Sequence, residues 1–289
     1  MNHPSVSTDD LPRRIEAARA FIASRTKVRP EAAIILGSGL GRFAEAMRDA
    51  DVIPYEEIPG FPTTSVESHA GDLVLGMLGG KPTAVLNGRV HYYEGYGMAQ
   101  VAFPVRVARA LGAHTLIATN AAGGMNPLYQ PADIVAIVDH INLMGDNPLI
   151  GPNHDELGPR FPDMSEPYDR SLLALAKETA LAEGIALREG VLVGVAGPNL
   201  ETRAEYRFLR WAGADLVSMS LVPETIAAVH GGMRVLAFAV VTDLCLPDAL
   251  EPAEIGKILA HAAKAEPVLT RLVTRVLERM PAPARAAER

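Results

Sequence analysis

Cysteine is almost absent: 289 residues contain one, Cys245. An intrachain disulfide and a thiolate zinc cluster are therefore excluded. No uncharged apolar run approaches the length of a membrane span. The opening residues, Met-Asn-His-Pro-Ser-Val-Ser-Thr-Asp-Asp, supply neither the basic start nor the apolar core of a secretory leader. Positive charge is in deficit, with 27 Lys and Arg against 34 Asp and Glu and a net charge of −7. That balance argues against nucleic acid or an anionic membrane as the main partner, and any anion site must be local and built from specific donors. Together these absences lead to the expectation of a soluble, cytoplasmic protein. What the chain does have is apolar residues, at 48%, with 21% charged, enough for a large core and against disorder.

Strand-like and helix-like segments alternate throughout. Ser7 to Arg25 reads as an amphipathic helix capped by Ser7 or Thr8, with Ile15, Ala18, Phe21 and Ile22 on one face. Ala32 to Leu36 is a short apolar run suited to a strand buried on both faces, and it enters Gly37-Ser38-Gly39-Leu40-Gly41, with Arg42 to Arg48 expected as a helix. Val52 to Ile58 reads as a strand, and Asp72 to Leu78 and Lys81 to Asn87 as a hairpin across Gly79-Gly80. Further strands are expected at Thr115 to Thr119, Ile134 to Val138, Val191 to Ala196, Asp215 to Met219 and Arg234 to Val241. Helices are expected at Val101 to Leu111, Asp169 to Glu183, up to Trp211, after Pro223, and from Pro252 to Met280, where Pro267 should kink or split the last. Residues 142–167 are rich in Pro, Gly and Asn without periodicity, the mark of a functional or interface loop. The expectation is one α/β domain over 1–289, a mixed twisted β-sheet flanked by helices, with flexible tails at 1–8 and 281–289.

Chemistry concentrates at the strand ends. Gly88-Arg89-Val90-His91-Tyr92-Tyr93-Glu94-Gly95-Tyr96 places a fixed cation, an imidazole, phenols and a carboxylate between glycines. One reading is an anion site, with the guanidinium fork and His91 donating together; the other is an Arg–Glu pair and a satisfied histidine under a tight turn. The 37–41 loop suits a phosphate nest or a tight strand–helix turn. A dinucleotide fingerprint would need Gly or Ala where Arg42 stands, and a Walker loop would need a following Lys-Ser or Lys-Thr. His154-Asp-Glu156 resembles the start of a zinc-deaminase signature, but that signature needs a Cys-x-x-Cys pair. Asn120-Ala-Ala-Gly-Gly124 reads as a second small-residue loop. His114, His140, His230 and His261 read as structural or solvated.

Seven motifs in order carry a family resemblance: Gly37–Gly41, His69-Ala-Gly71, Gly88–Tyr96, Thr119-Asn-Ala-Ala-Gly-Gly124, Asp139-His-Ile-Asn142, Gly197-Pro-Asn-Leu-Glu-Thr202 and Met219-Ser-Leu-Val-Pro-Glu224. From about Ile15 to Val273 the chain resembles the purine nucleoside phosphorylases of the trimeric type. The resemblance implies a phosphorylase/hydrolase-like fold, a homotrimer, no metal or organic cofactor, and reversible phosphorolysis of purine nucleosides in purine salvage. By motif position it implies that Ser38, Arg89, His91, the backbone of Ala121 and Ser220 hold phosphate, with His69 at the phosphate or the 5′ side. It implies that Tyr93 and Met219 contact ribose, that Leu200 and Val217 lie along the base, and that Glu201 and Asp243 face it. His91, Glu201 and Asp243 are the groups expected to act in catalysis. Phe161 matches an aromatic lent to a neighbouring subunit.

Three departures from the family pattern bear on specificity. Members that prefer 6-oxopurines carry Asn at the position of Asp243; an ionised Asp only accepts, which suits a 6-amino group. Glu201 matches the 6-oxopurine pattern instead. Guanosine and inosine are the expected substrates, with adenosine tolerated; a methylthioadenosine or broad 6-amino/6-oxopurine phosphorylase is the alternative. Leu200 stands where relatives have an aromatic, and the Leu250-Glu-Pro-Ala-Glu254 run lacks the family's histidine for the 5′-hydroxyl.

Overall fold

Period-two alternation in the strands divides their side chains between two cores. In β1 (Ala32–Ile35), Ala33 and Ile35 face one hydrophobic cluster while Ala32 and Ile34 face the other. In β9 (Arg234–Leu244), Val235, Ala237, Ala239 and Val241 join the first, and Leu236, Phe238 and Val240 the second. The structure, a computed structural model, describes residues 10–37, 40–65 and 70–281. The expected tails, apart from Pro281, and the Ser7/Thr8 cap lie outside the described residues.

The remaining strands are β2 (Arg48–Pro54), β3 (Asp72–Leu78), β4 (Lys81–Asn87), β5 (Thr115–Gly124), β6 (Ile134–Leu143), β7 (Leu187–Val195) and β8 (Leu216–Ser218). They form one mixed sheet in the order β2-β3-β4-β1-β5-β8-β7-β6-β9. Strand β9 pairs with β6 and also, in parallel, with β5, so β5, β8, β7, β6 and β9 close into a ring. The helices are α1 (Leu11–Arg25), α2 (Met98–Val101), α3 (Phe103–Leu111), α4 (Arg170–Ala182), α5 (Arg203–Trp211), α6 (Val222–His230) and α7 (Ile255–Arg279). Buried residues of α1, α3 and α6 pack in the first cluster and those of α4 and α7 in the second. This is the α/β mixed-sheet class, with closure of one part added.

Several boundaries differ from expectation for identifiable reasons. Residues Gly41–Ala46 are a 3₁₀ helix rather than an α-helix through Arg48, and Arg48 opens β2 by pairing with Met77. Strand β2 ends at Pro54, and Tyr55–Glu57 turns as a 3₁₀ helix where more strand was expected. The expected helix from Val101 is two pieces because Pro104, in the first turn of α3, has no N–H to donate backwards. Asn120 to Gly124 is not a loop: it continues β5, paired with β9 as far as Gly124–Leu244. Its small residues serve close approach, since a Cβ on Gly124 would lie 2.8 Å from Val241 Cγ1 and one on Gly123 2.5 Å from Cys245 Sγ. Pro267 does not split α7. Pro267 and Ala263, whose carbonyl loses its donor, both face solvent, while Ala262, Ala265, Leu269, Leu272 and Val276 hold the inner face.

Candidate active site

The C-terminal ends of β1, β4, β5, β8 and β9 converge on one cavity of about 160 Å³, completed by the loop after β7 and by α7. Such strand-end crevices are where α/β sheets bind ligands. Arg89, His91, Tyr93, Ala121, Leu200, Glu201, Val217, Met219, Ser220 and Asp243 all line it. Ser38 and His69 lie outside the described residues. Phe161 does not reach this cavity in its own chain; it is 87% exposed on the 144–169 loop, with the Arg160 guanidinium 5.8 Å from its ring centroid.

At one end the groups are cationic or hydroxylic. Gly88, at φ 117°, turns the chain out of β4 and buries Arg89. Arg89 Nη2 donates to the Thr119 carbonyl at 2.7 Å, and its Nε lies 3.5 Å from Glu224 Oε1. Arg89 Nη1 and both Glu224 oxygens find no hydrogen-bond partner among the described residues. Burial lowers the pKa of Arg89, and Glu224 opposes that shift. The ion pair within Gly88–Tyr96 is therefore not Arg89 with Glu94. Glu94 instead accepts from the backbone N–H of His91 at 2.7 Å and meets its Nδ1 at 3.0 Å. Burial would raise the Glu94 carboxyl, but hydrogen bonds from His91 and from the Ser65 amide and hydroxyl bring it down to about 2. An ionised Glu94 accepts from His91 Nδ1 and orients the ring, which stacks on Tyr93 with centroids 4.7 Å apart and planes 14° apart.

Beside Arg89, the backbone N–H of Gly37 donates to Thr119 Oγ1 at 3.2 Å, locking β1 to β5. A Cβ on Gly37 would stand 2.6 Å from Asn120 Cα, so glycine is needed for this approach. Asn120 Nδ2 donates to Ser218 Oγ at 2.8 Å, and Ser218 Oγ lies 3.1 Å from Ser220 Oγ. With Ser218 donating onward, the Ser220 proton is left for an oxyanion. Leu221 follows at φ +76°, a strained conformation for a branched side chain, between Ser220, which lines the cavity, and the start of α6.

The other end carries carboxyls. Burial raises the pKa of Glu201, Tyr206 opposes the shift, and nearby Asp243 adds to it. Asp243 Oδ1 accepts from Thr242 Oγ1 at 2.8 Å and Oδ2 from Cys245 Sγ at 3.2 Å. Met219 packs where a Cβ on Gly197 would fall, which explains that glycine. Leu200 is half exposed at the rim and Val217 is buried. Asn120, Ser218, Tyr206, Thr242, Cys245 and Ile258 also line the cavity, and sequence reasoning gave none of them a role. Glu224 lay within a quoted motif, so its position, though not its partner, could have been found. His261 is structural, its Nδ1 2.6 Å from the Thr242 carbonyl behind Asp243.

A buried guanidinium and oriented hydroxyls at one end of a cleft, with paired carboxyls at the other, define a site for an anion beside a nitrogenous base. Residues 31–278 match the family model of the phosphorylase superfamily. The chain belongs to this superfamily and, within it, to the purine nucleoside phosphorylase family, whose members are pentosyltransferases. It is 46% identical over 266 residues to purine nucleoside phosphorylase 1 of Geobacillus stearothermophilus, covering 92% of this chain and 97% of that protein. It is 44% identical over 279 residues to the Mus musculus purine nucleoside phosphorylase, covering 94% and 96%. A Schistosoma purine nucleoside phosphorylase solved with hypoxanthine superposes with a TM-score of 0.89 at 38% identity, covering 93% of this chain and 98% of that one. The Schistosoma mansoni enzyme solved with adenosine gives the same TM-score and identity.

Proposed function

We propose that the protein catalyses reversible phosphorolysis of purine ribo- and deoxyribonucleosides, guanosine and inosine foremost, in purine salvage. The observation that carries this reading is the buried Arg89, with an unpartnered Nη1, in the same cavity as Glu201 and Asp243. In this reading Arg89, His91, Ser220 and the Ala121 backbone bind phosphate beneath C1′, joined by Ser38 and His69. The N9–C1′ bond breaks as a phosphate oxygen closes on C1′, giving the free base and a pentose 1-phosphate. Positive charge builds on the sugar, so the dianion next to it is favoured by electrostatics as well as by proximity. The departing purine carries negative charge, which hydrogen bonds at Glu201 and Asp243 disperse. Phosphate is the nucleophile, so no enzyme-bound covalent intermediate is required, and no cofactor or metal enters the scheme. Tyr93 and Met219 flank the ribose, and Leu200 and Val217 the base. The exposed Phe161 is assigned to a neighbouring subunit's sugar pocket in a homotrimer.

One observation favours a second reading. Where α7 borders the cavity it contributes Ile258, an apolar residue, which suits a nucleoside with an apolar 5′ substituent. With the acceptor Asp243, that would fit methylthioadenosine. Base release from inosine, guanosine, adenosine and methylthioadenosine, with and without phosphate, tests both readings. Phosphate-dependent release from inosine and guanosine is expected. Release at the same rate without phosphate identifies a hydrolase, and preference for methylthioadenosine selects the second reading.

A further inference from the structure

A second cavity, of about 20 Å³, lies between α1, α3, α6 and the 144–169 loop. It shares no lining residue with the candidate active site. Arg106 of α3 and His230 of α6 both line it, and they are 7% and 4% exposed. Arg106 Nη1 lies 3.2 Å from His230 Nδ1. A guanidinium only donates, so Nδ1 is the acceptor and the neutral ring carries its proton on Nε2. Burial, with the Arg106 and Arg160 cations, pushes the His230 pKa down to about 4, so the ring is neutral near pH 7. Arg106 Nε and His230 Nε2 find no hydrogen-bond partner among the described residues. Two buried N–H donors, one of them on a cation, are thus left beside one cavity.

That cation lacks the carboxylate that Arg89 has in Glu224. Among the described residues no Asp or Glu lines the cavity. Burial lowers the Arg106 pKa to about 10, which leaves it charged near neutrality. Arg160 adds positive charge, and its Nη1 is held by the Leu149 and Gly151 carbonyls at 3.0 and 2.8 Å. The Asp155 carboxylate, on the same loop, is exposed and accepts from Asn153 Nδ2 at 2.7 Å. Burying a charge without an opposite one is costly, so a buried guanidinium calls for an anion. The volume suits one small species and is too small for a polyatomic oxyanion such as phosphate. Leu11, Ala99, Pro148, Leu149 and Leu157 make much of the wall. Those side chains offer no acceptor for the hydrogens of a water, whereas a monatomic anion needs donors alone.

We propose that this cavity is a halide site, in which a chloride ion accepts from Arg106 Nε and His230 Nε2 and neutralises the buried guanidinium. The ion ties two core helices to the loop that covers them. A Cβ on Gly158 would fall on the His230 carbonyl, so the loop runs directly against the end of α6 there. His154 and Leu157 of the loop also line the cavity. The same loop carries the exposed Phe161. The site stands independently of the phosphorolysis reading.

Crystals of the native chain grown with sodium bromide and measured at the bromine absorption edge test the site. An anomalous peak within hydrogen-bonding distance of Arg106 Nε and His230 Nε2 is expected. In solution, melting scans compare sodium chloride and sodium bromide with sodium gluconate at equal ionic strength. Gluconate is too large for the cavity and controls for screening. At about five times its dissociation constant, chloride should raise the melting temperature of the native chain by about 2–4 °C over gluconate. Arg106→Met, which removes the charge and the donors, should lose that difference. His230→Gln, which keeps an acceptor for Arg106 and an N–H donor, should retain part of it. Should Arg106→Met fail to fold, the bromide peak in the native chain and a smaller chloride gain in His230→Leu make the same test. No anomalous peak at the cavity, or equal chloride gains in the native chain and Arg106→Met, overturns the proposal. A peak without a halide-specific melting gain marks an adventitious ion only and overturns it as well. None of these outcomes alters the phosphorolysis reading.

Discussion

Glu224 is the strongest place to test how the anion end is built. Its carboxyl is 2% exposed and lies 3.5 Å from the Nε of Arg89, itself 5% exposed. At an effective dielectric of about 20, that separation corresponds to roughly 5 kcal/mol of attraction. Removing one partner of a buried pair typically costs about 3–5 kcal/mol, because the survivor is left uncompensated. Glu224→Gln keeps the shape and removes the charge. At about 2–4 °C per kcal/mol, the phosphate-free variant should melt roughly 6–20 °C lower than the native chain. Glu224 also repels a phosphate dianion held by Arg89, so the variant should bind phosphate more tightly and gain more melting temperature from it. Scanning calorimetry of both proteins across a phosphate series measures both effects. An unchanged melting temperature in the absence of phosphate would refute the energetic role of the pair. A smaller phosphate-induced gain in the variant would refute the placement of the anion at Arg89.

Other expectations follow from the same geometry. Arg89→Ala should raise the phosphate KM by about a hundredfold or more, the loss of a charge-assisted bond of about 3 kcal/mol, with little change in nucleoside KM; steady-state kinetics with each substrate varied separates the two. Ile34→Ala, at a fully buried position of β1, should cost about 2–5 kcal/mol by urea unfolding and leave nucleoside KM unaltered. Glu94 is depressed in the fold, so its contribution to stability is complete above its usual carboxylate pKa and is lost as pH falls from there through about 2; Glu94→Gln should flatten that acid limb in melting scans against pH. Phe161→Ala should raise nucleoside KM without changing the melting temperature of the protomer if the ring serves a neighbour, and light scattering should give three copies.

Much of the fold could be read from the sequence because its strands are short apolar runs between glycines. The hairpin across Gly79-Gly80 is as expected, with Leu78 paired to Lys81. The failures share a cause. Asn120 to Gly124 carries turn chemistry, yet those small residues make room for Val241 and Cys245 within a strand. Pro267 should interrupt a helix, yet the inner face of α7 is packed so fully that an exposed carbonyl can go unbonded. Sheet closure depends on β9 meeting both β5 and β6, a long-range pairing with no local sign. In the candidate site, Arg89 and His91 stood out as residues of unusual type in a loop, whereas Glu201 came only with the family resemblance. Glu94 is close to Arg89 in sequence and Glu224 is far away, yet the guanidinium pairs with Glu224.

The central claim is that one small electropositive cup holds phosphate next to a purine slot. A crystal structure grown with phosphate and hypoxanthine measures it directly. The account predicts the oxyanion within hydrogen-bonding distance of Arg89 Nη1 and Ser220 Oγ, with the base between Glu201 and Asp243. Phosphate bound elsewhere, with that cup unchanged, would contradict it.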